Sequence, residues 1–394
     1  MAIENKTIIL AIILTLSVAL YSCVAKPQST EVGVISDISN IPFEHGELNF
    51  TIEQIQFDFL DMDELSDLVV RDVVNDMILF TTVSTETLRS AVQAVPHDFM
   101  FLYDTVKQEI IAEIDLLGQE RVIIDAIIFG DLIIYVDTDM YGRELYVNVK
   151  SYDTTTNQQT VIRTIQSLWR SEPVLRRVEG GYLILYTDLE LEEYKVKFVP
   201  YNQEPRTLYS NSLEQGELFS PGHFHAFGDM FAFFESYQGN EYFFIGNICG
   251  EYQRIQLTKH VDDFSILEQG IVTSHAYPEN IGAAEWNIIS YLEFRSFDSQ
   301  ITNRLDGFRT FRKTTNGSAI LGIADWQTID GYHMYGRLVL ITYINEHLYA
   351  YLIDFHEAGS LPRFVAVNDN TWLIVSSFAT PDQDIGVFRL KVQQ

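Results

Sequence analysis

Short apolar runs recur along this chain at intervals of about 40–55 residues, each following a turn-forming stretch. They are Met77-Ile78-Leu79-Phe80, Leu132-Ile133-Ile134-Tyr135, Leu183-Ile184-Leu185-Tyr186, Phe231-Ala232-Phe233-Phe234, Ile271-Val272, Ile320-Leu321 and Trp372-Leu373-Ile374-Val375. A second register carries the same period. An apolar strand ends in an aromatic and a turn former at Tyr103-Asp104, Tyr152-Asp153, Tyr201-Asn202, Phe297-Asp298 and Phe355-His356, with Cys249-Gly250 in the same series. Asx chemistry at such breaks suits turns between antiparallel strands. Each unit therefore reads as four short strands, and the period is that of a β-propeller blade. No long helical period is present; Leu88–Val95 and Val161–Trp169 read as connections between strands.

Seven runs predict an all-β, seven-bladed β-propeller of four-stranded antiparallel blades. The last unit holds only three strands, Arg363–Val367, Trp372–Ser376 and Val387–Lys391. Leu48–Ile52, or Ile55–Phe59 just after it, has strand composition and precedes the first unit. This N-terminal segment is expected to supply the missing outer strand, which closes the ring and removes an open edge. Asp61–Asp67 then forms an acidic connection into the first blade. Six or eight blades is the alternative, because the fourth and fifth runs are close together and the sixth unit is long. Two β-sandwiches would not produce a sustained period near fifty residues.

Gly142-Arg143-Glu144-Leu145-Tyr146-Val147 and Asn240-Glu241-Tyr242-Phe243-Phe244 resemble hairpins entering the third strand of bacterial seven-bladed propellers of the TolB and prolyl-oligopeptidase-propeller type. The resemblance covers residues 48–394 and implies the fold. It carries over no catalytic residue. The Trp-Asp signature of WD40 repeats is absent, as are the Trp-rich motifs of quinone-dependent propellers.

The first residues read as an address. Ile8–Leu20 is almost unbroken apolar sequence. Its length, about 13 residues, suits a signal-peptide core better than a bilayer span, which needs about 20. Leu20-Tyr21-Ser22-Cys23 follows and resembles the lipobox of bacterial lipoproteins, with Tyr21 larger than usual for that motif. The resemblance implies that Cys23 becomes the acylated first residue of an exported protein held on the membrane by more than one acyl chain. Residues 1–22 would then be the signal peptide, 23–42 a polar flexible tether and 43–394 the propeller. An uncleaved anchor or a plain secretory signal are the competing readings. With Cys23 acylated, Cys249 alone remains, no intramolecular disulfide can form, and Cys249 is expected as a small buried residue.

Charge narrows the partners. The chain carries 26 Lys+Arg against 55 Asp+Glu, a formal net charge of −29. A field of that sign repels phosphate backbones and argues against nucleic acid. Cations, basic peptides and neutral glycans remain compatible. The turns after the apolar second strands should share one face of the ring, and there Asp137, Asp188, Glu235 and Asp325 recur, with His275 at the related place in the fifth unit. They are the candidate ligand-binding residues of an acidic mouth; as turn residues they would instead be merely solvated. Asp137-Thr138-Asp139-Met140-Tyr141-Gly142 approaches a calcium loop but lacks its third oxygen ligand and its twelfth-position Glu, so it reads as a hairpin. His223-Phe224-His225 has no Cys pair or His-Glu-x-x-His to complete a metal centre. No cofactor is expected, calcium being the one candidate. No Gly-x-Ser-x-Gly elbow, P-loop or dinucleotide fingerprint is present. The sequence thus points to a lipid-anchored binding or scaffold module for a protein, peptide or glycan outside the cytoplasmic membrane. An exported glycan or peptide hydrolase using carboxylates at the channel mouth is the alternative.

Overall fold

A computed structural model describes residues 49–392, apart from 92–94, 139–143, 169–172, 202, 214–215, 220–223, 239, 258–260, 279–287, 298–300, 307, 328–332, 345–346, 354–361 and 377–384. Every apolar run of the sequence is the second strand of a blade, and each blade is an antiparallel sheet counted outward from the ring axis. Blade 1 comprises Leu65–Val74, Met77–Ser84, Phe99–Asp104 and Glu109–Asp115; blade 2, Val122–Phe129, Leu132–Thr138, Glu144–Asp153 and Gln158–Leu168. Blade 3 comprises Val174–Val178, Gly181–Asp188, Glu193–Pro200 and Arg206–Ser212. In blade 4 the inner position is shared by two pieces, Gly216–Phe219 and His225–Phe227, followed by Met230–Tyr237, Asn240–Asn247 and Tyr252–Gln256. Blade 5 runs Asp263–Leu267, Gly270–Pro278, Ile288–Ser296 and Ile301–Asp306; blade 6, Phe308–Thr315, Ala319–Gln327, His333–Ile344 and His347–Ile353.

Blade 7 contains Arg363–Asn368, Thr371–Ser376 and Gly386–Val392, and its outer strand is N-terminal. Phe50–Ile55 pairs antiparallel with Gly386–Val392, from Phe50 opposite Val392 to Ile55 opposite Val387. The closing strand overlaps both expected segments. Each inner strand contacts the next around the circle, and that of blade 7 returns to that of blade 1. The protein is a seven-bladed β-propeller.

The second strands are mostly apolar because both of their faces are covered. Gly181–Asp188 is buried at every position. Core residues form slabs between adjacent blades, such as Phe80, Tyr103, Leu373 and Val387 between blades 1 and 7, or Leu185, Tyr194, Phe231 and Phe244 between blades 3 and 4. Gly181 opens its strand where a methyl group would fall 2.4 Å from the Val199 carbonyl oxygen, so no larger residue fits without displacement.

Two local expectations are corrected. Val161–Trp169 is not a connection: Gln158–Leu168 is the outer strand of blade 2, where β-branched Thr160, Val161, Ile162, Thr164 and Ile165 favour extended backbone. Cys249 is exposed, because the aromatic-plus-turn register puts it in the hairpin after a third strand rather than inside that strand. In the other connection, Thr85–Ser90 forms a short helix whose first turn is capped by Ser84, its hydroxyl accepting from the Thr87 N–H.

Candidate functional site

The inner strands enclose a central channel of about 830 Å³. They are too exposed to be apolar throughout and too close-packed to leave charges unpaired. The result is a circuit of polar ties from blade to blade. Arg71 of blade 1 donates to the Ile123 and Ile124 carbonyls of blade 2 at 2.9 and 3.0 Å. Asp125 of blade 2 accepts the Leu175 N–H of blade 3 and pairs with Arg176 at 3.1 Å. Arg176 in turn donates to the Phe224 carbonyl beside blade 4. Asp263 of blade 5 lies 4.0 Å from His225 of blade 4 and 3.6 Å from Lys313 of blade 6. The Asn316 amide of blade 6 donates to the Asn368 and Asp369 carbonyls of blade 7. Arg363 of blade 7 faces Asp67 of blade 1 at 3.8 Å.

Burial shifts these groups against their charged forms. Asp72 is pushed up to about 6, chiefly by burial, with Arg177 and two backbone N–H groups opposing the rise. Arg71 is lowered to about 10 and Lys313 is lowered, both by desolvation first. His97, whose Nε2 lies 2.9 Å from the Arg71 guanidinium, is lowered to about 2 by burial and then by that cation. It is held neutral in the fold.

The rim of the channel has a different character. The hairpins joining inner to second strands all emerge on one face, and six of the seven carry an acid: Asp76, Asp131, Glu179, Asp229, Glu268 and Asp369. Asp229 is half-buried and the other five are exposed. Glu179 and Asp369 line the channel itself. The seventh hairpin holds Asn316-Gly317.

The residues singled out from the sequence stand elsewhere, near the far ends of the second strands and in different blades. Asp137 is buried, 2.5 Å from the Lys150 ammonium, and accepts from the Asn148 amide at 3.2 Å. Asp188 is buried and pairs at 2.7 Å with Arg163 on the outer strand of blade 2. Glu235, also buried, receives the hydroxyls of Tyr194 and Tyr209 from blade 3 and lies 2.8 Å from Arg254 Nε. Burial, then the hydrogen bond to Glu235, pushes Tyr209 up to about 12. His275 stacks on Tyr291 at 4.4 Å, with Nε2 2.8 Å from the Thr273 hydroxyl. Asp325 lies opposite Tyr335 on the second strand of blade 6, and its side chain lies outside the described residues. Cys23, His223 and residues 139–142 of the calcium-loop-like Asp137–Gly142 segment also lie outside them.

Asp137, Asp188 and Glu235 therefore lie within strands, with a cation or phenols drawn from their own or the adjacent blade. Among the described residues no cluster of three or more His, Cys, Asp and Glu is arranged to hold a metal ion. The signal for most of the acidic rim was in the sequence, in the Gly- or Asx-containing pair shortly before five of the seven apolar runs: Asn75-Asp76, Gly130-Asp131, Glu179-Gly180, Gly228-Asp229 and Asp369-Asn370.

No protein-family model matches this chain, and no curated protein matches it. Solved structures do match. A prolyl endopeptidase, from a study of inter-domain dynamics in catalysis and specificity, aligns with a TM-score of 0.50 at 8% identity, covering 83% of this chain and 48% of that one. This chain thus spans about half the length of that peptidase. The WD40 domain of Toxoplasma gondii coronin aligns with a TM-score of 0.50 at 10% identity over 88% of this chain and 87% of its own. BamB from Moraxella catarrhalis aligns with a TM-score of 0.42 at 9% identity over 86% of this chain and 97% of its own. What the peptidase and the coronin domain share with this chain at these identities is the fold alone.

Proposed function

We propose that this protein is an exported, lipid-anchored propeller that binds a basic protein or peptide segment at the acidic rim of its channel. The observation that carries the reading is the recurrence of an exposed or half-buried acid in six inner hairpins of one face, above a polar channel. Carboxylates converging on a concave mouth with low-dielectric walls focus a negative field, raising the local concentration of cations and steering a basic ligand inward. Inside, the charges are paired or, for Arg71, held by backbone carbonyls, so the wall offers directional hydrogen bonds rather than free charge. Asp137, Asp188 and Glu235, at the opposite ends of the second strands, are occupied as internal ties, which favours recognition over a carboxylate-based hydrolysis. Acylation of Cys23, with the following residues as a tether, would place this face outside the cytoplasmic membrane.

Binding of a fluorescent Lys/Arg-rich peptide to the purified protein tests the rim. The expected result is saturable binding that weakens with salt and falls about tenfold in the double variant Glu179→Lys/Asp369→Lys, while a Glu-rich control peptide does not bind. Equal binding of the two peptides would rule out charge recognition.

A further inference from the structure

The acidic face holds one site of different composition, at the seam where the two ends of the chain close the ring. Between blades 7 and 1 lies a polar pocket of about 350 Å³ that adjoins the channel, sharing Val367 and Asn368 with its wall. Arg389 and Lys391, two residues apart on the third strand of blade 7, both line it. Arg389 crosses the seam to donate to the Thr105 hydroxyl of blade 1 at 2.9 Å, and that hydroxyl donates to the Asp76 carbonyl. The guanidinium is thus fixed by a neutral oxygen, not by an acid. Among the described residues neither Arg389 nor Lys391 lies within 4.0 Å of a carboxylate, although the chain has about two acids for every base.

The rest of the lining is a set of hydroxyl and amide partners. Asn75, Asn368 and Thr371 line the pocket together with the acid Asp76. Among the lining residues Arg389 and Lys391 stand against the single acid Asp76, which leaves the pocket wall one positive charge in excess. That balance disfavours a phosphate dianion, which Asp76 would repel. It suits a ligand with one carboxylate and several hydroxyls: the carboxylate accepts from Arg389 and Lys391, and hydroxyls donate to Asp76 and the Asn amide oxygens. The volume is at the lower end of ligand pockets, enough for a short saccharide.

We infer that this seam pocket is a binding site for an acidic sugar of the uronic-acid class. It shares Asp76 with the rim and does not depend on the N-terminal anchor.

Calorimetric titration of the purified full-length protein with glucuronate, glucose and inorganic phosphate tests it. Saturable binding of glucuronate is expected, with glucose and phosphate each at least about tenfold weaker. Lys391 is exposed, so Lys391→Gln should leave the melting temperature unchanged and weaken glucuronate about tenfold. Asp76→Asn should weaken glucuronate while leaving any residual phosphate binding unreduced. Absence of saturable glucuronate binding, equal affinity for glucose or phosphate, or unchanged binding in Lys391→Gln would each overturn the assignment. The Lys391→Gln outcome leaves every rim acid in place, and Glu179→Lys/Asp369→Lys reports the peptide-binding rim separately.

Discussion

Arg177 and Asp72 join the third blade to the first across the second: a guanidinium nitrogen lies 3.2 Å from Oδ1, and the same side chain donates to the Val73 carbonyl at 2.9 Å. Asp72 also accepts the Ile128 N–H of the intervening blade at 2.8 Å. Three consecutive blades therefore meet at one buried carboxylate. Replacing Arg177 by Met should leave Asp72 short of its cation and cost about 1–3 kcal/mol, read from urea unfolding. Adding Asp72→Asn should return part of the loss, because the uncompensated charge is then gone. A double variant no better than the sum of the two single ones would show that the groups act independently.

His97 and Asp72 give the stability a defined pH dependence. The unfolded imidazole takes up a proton near its ordinary 6.5, whereas the folded one resists to about 2. Its contribution is complete above 6.5 and is lost as pH falls, at about 1.4 kcal/mol per unit. Asp72 works in the opposite sense: raised from 3.8 to about 6, its contribution is present below 3.8 and lost as pH rises through 6. Between about pH 6 and 4 the two slopes offset each other. His97→Gln removes the first and keeps the second, so the variant should gain stability relative to the parent from pH 6.5 to 4. Parallel pH curves for the two proteins would contradict a buried neutral His97.

The ring closure is held by side chains as well as by hydrogen bonds. Phe57, just beyond the closing strand, is buried against Phe80 and Tyr103 at 5.1 and 5.2 Å between ring centroids. Phe57→Ala should cost about 3–5 kcal/mol. Removing residues 48–59 should broaden or abolish the cooperative melt of the whole domain, by opening an unpaired edge and uncovering the blade 6–7 core. A deletion protein that still melted as one sharp transition would mean that the ring does not need this strand.

Cys23→Ala should move the protein from the membrane fraction to the soluble exported fraction, with the propeller's melting temperature unchanged. Fractionation followed by immunoblotting reads this directly, and undiminished membrane association would exclude acylation as the anchor.

The blade period was legible because second strands are enclosed on both faces and tolerate few polar residues, as in Gly181–Asp188 and Trp372–Val375. The closing strand was legible by subtraction, since the last unit lacked a partner for Val387–Lys391. Less visible were the inner strands, which mix Arg71, Asp72, Asp125, Arg176, Arg177 and Lys313 with apolar neighbours and show no clean alternation. Their meaning depends on partners about fifty to a hundred residues away, such as Asp125 with Arg176 or Asp72 with Arg177. Asp137, Asp188 and Glu235 looked like solvated turn acids because the groups that bury them come from other strands and, for the last two, from another blade. The rim acids occupy the turns on the other face, where their regular placement was hidden among ordinary Asx and Gly hairpin residues.

The most direct test of the binding account is photo-crosslinking in the cell, with a benzoylphenylalanine placed in turn at Glu179, at Asp369 and at Glu190. The first two sit at the channel rim, and Glu190 is exposed in the hairpin at the opposite end of its blade. The account predicts one basic partner captured from both rim positions, released by Glu268→Lys in the same protein, and not captured from Glu190. Capture of the same partner from Glu190 with nothing from the rim would contradict it.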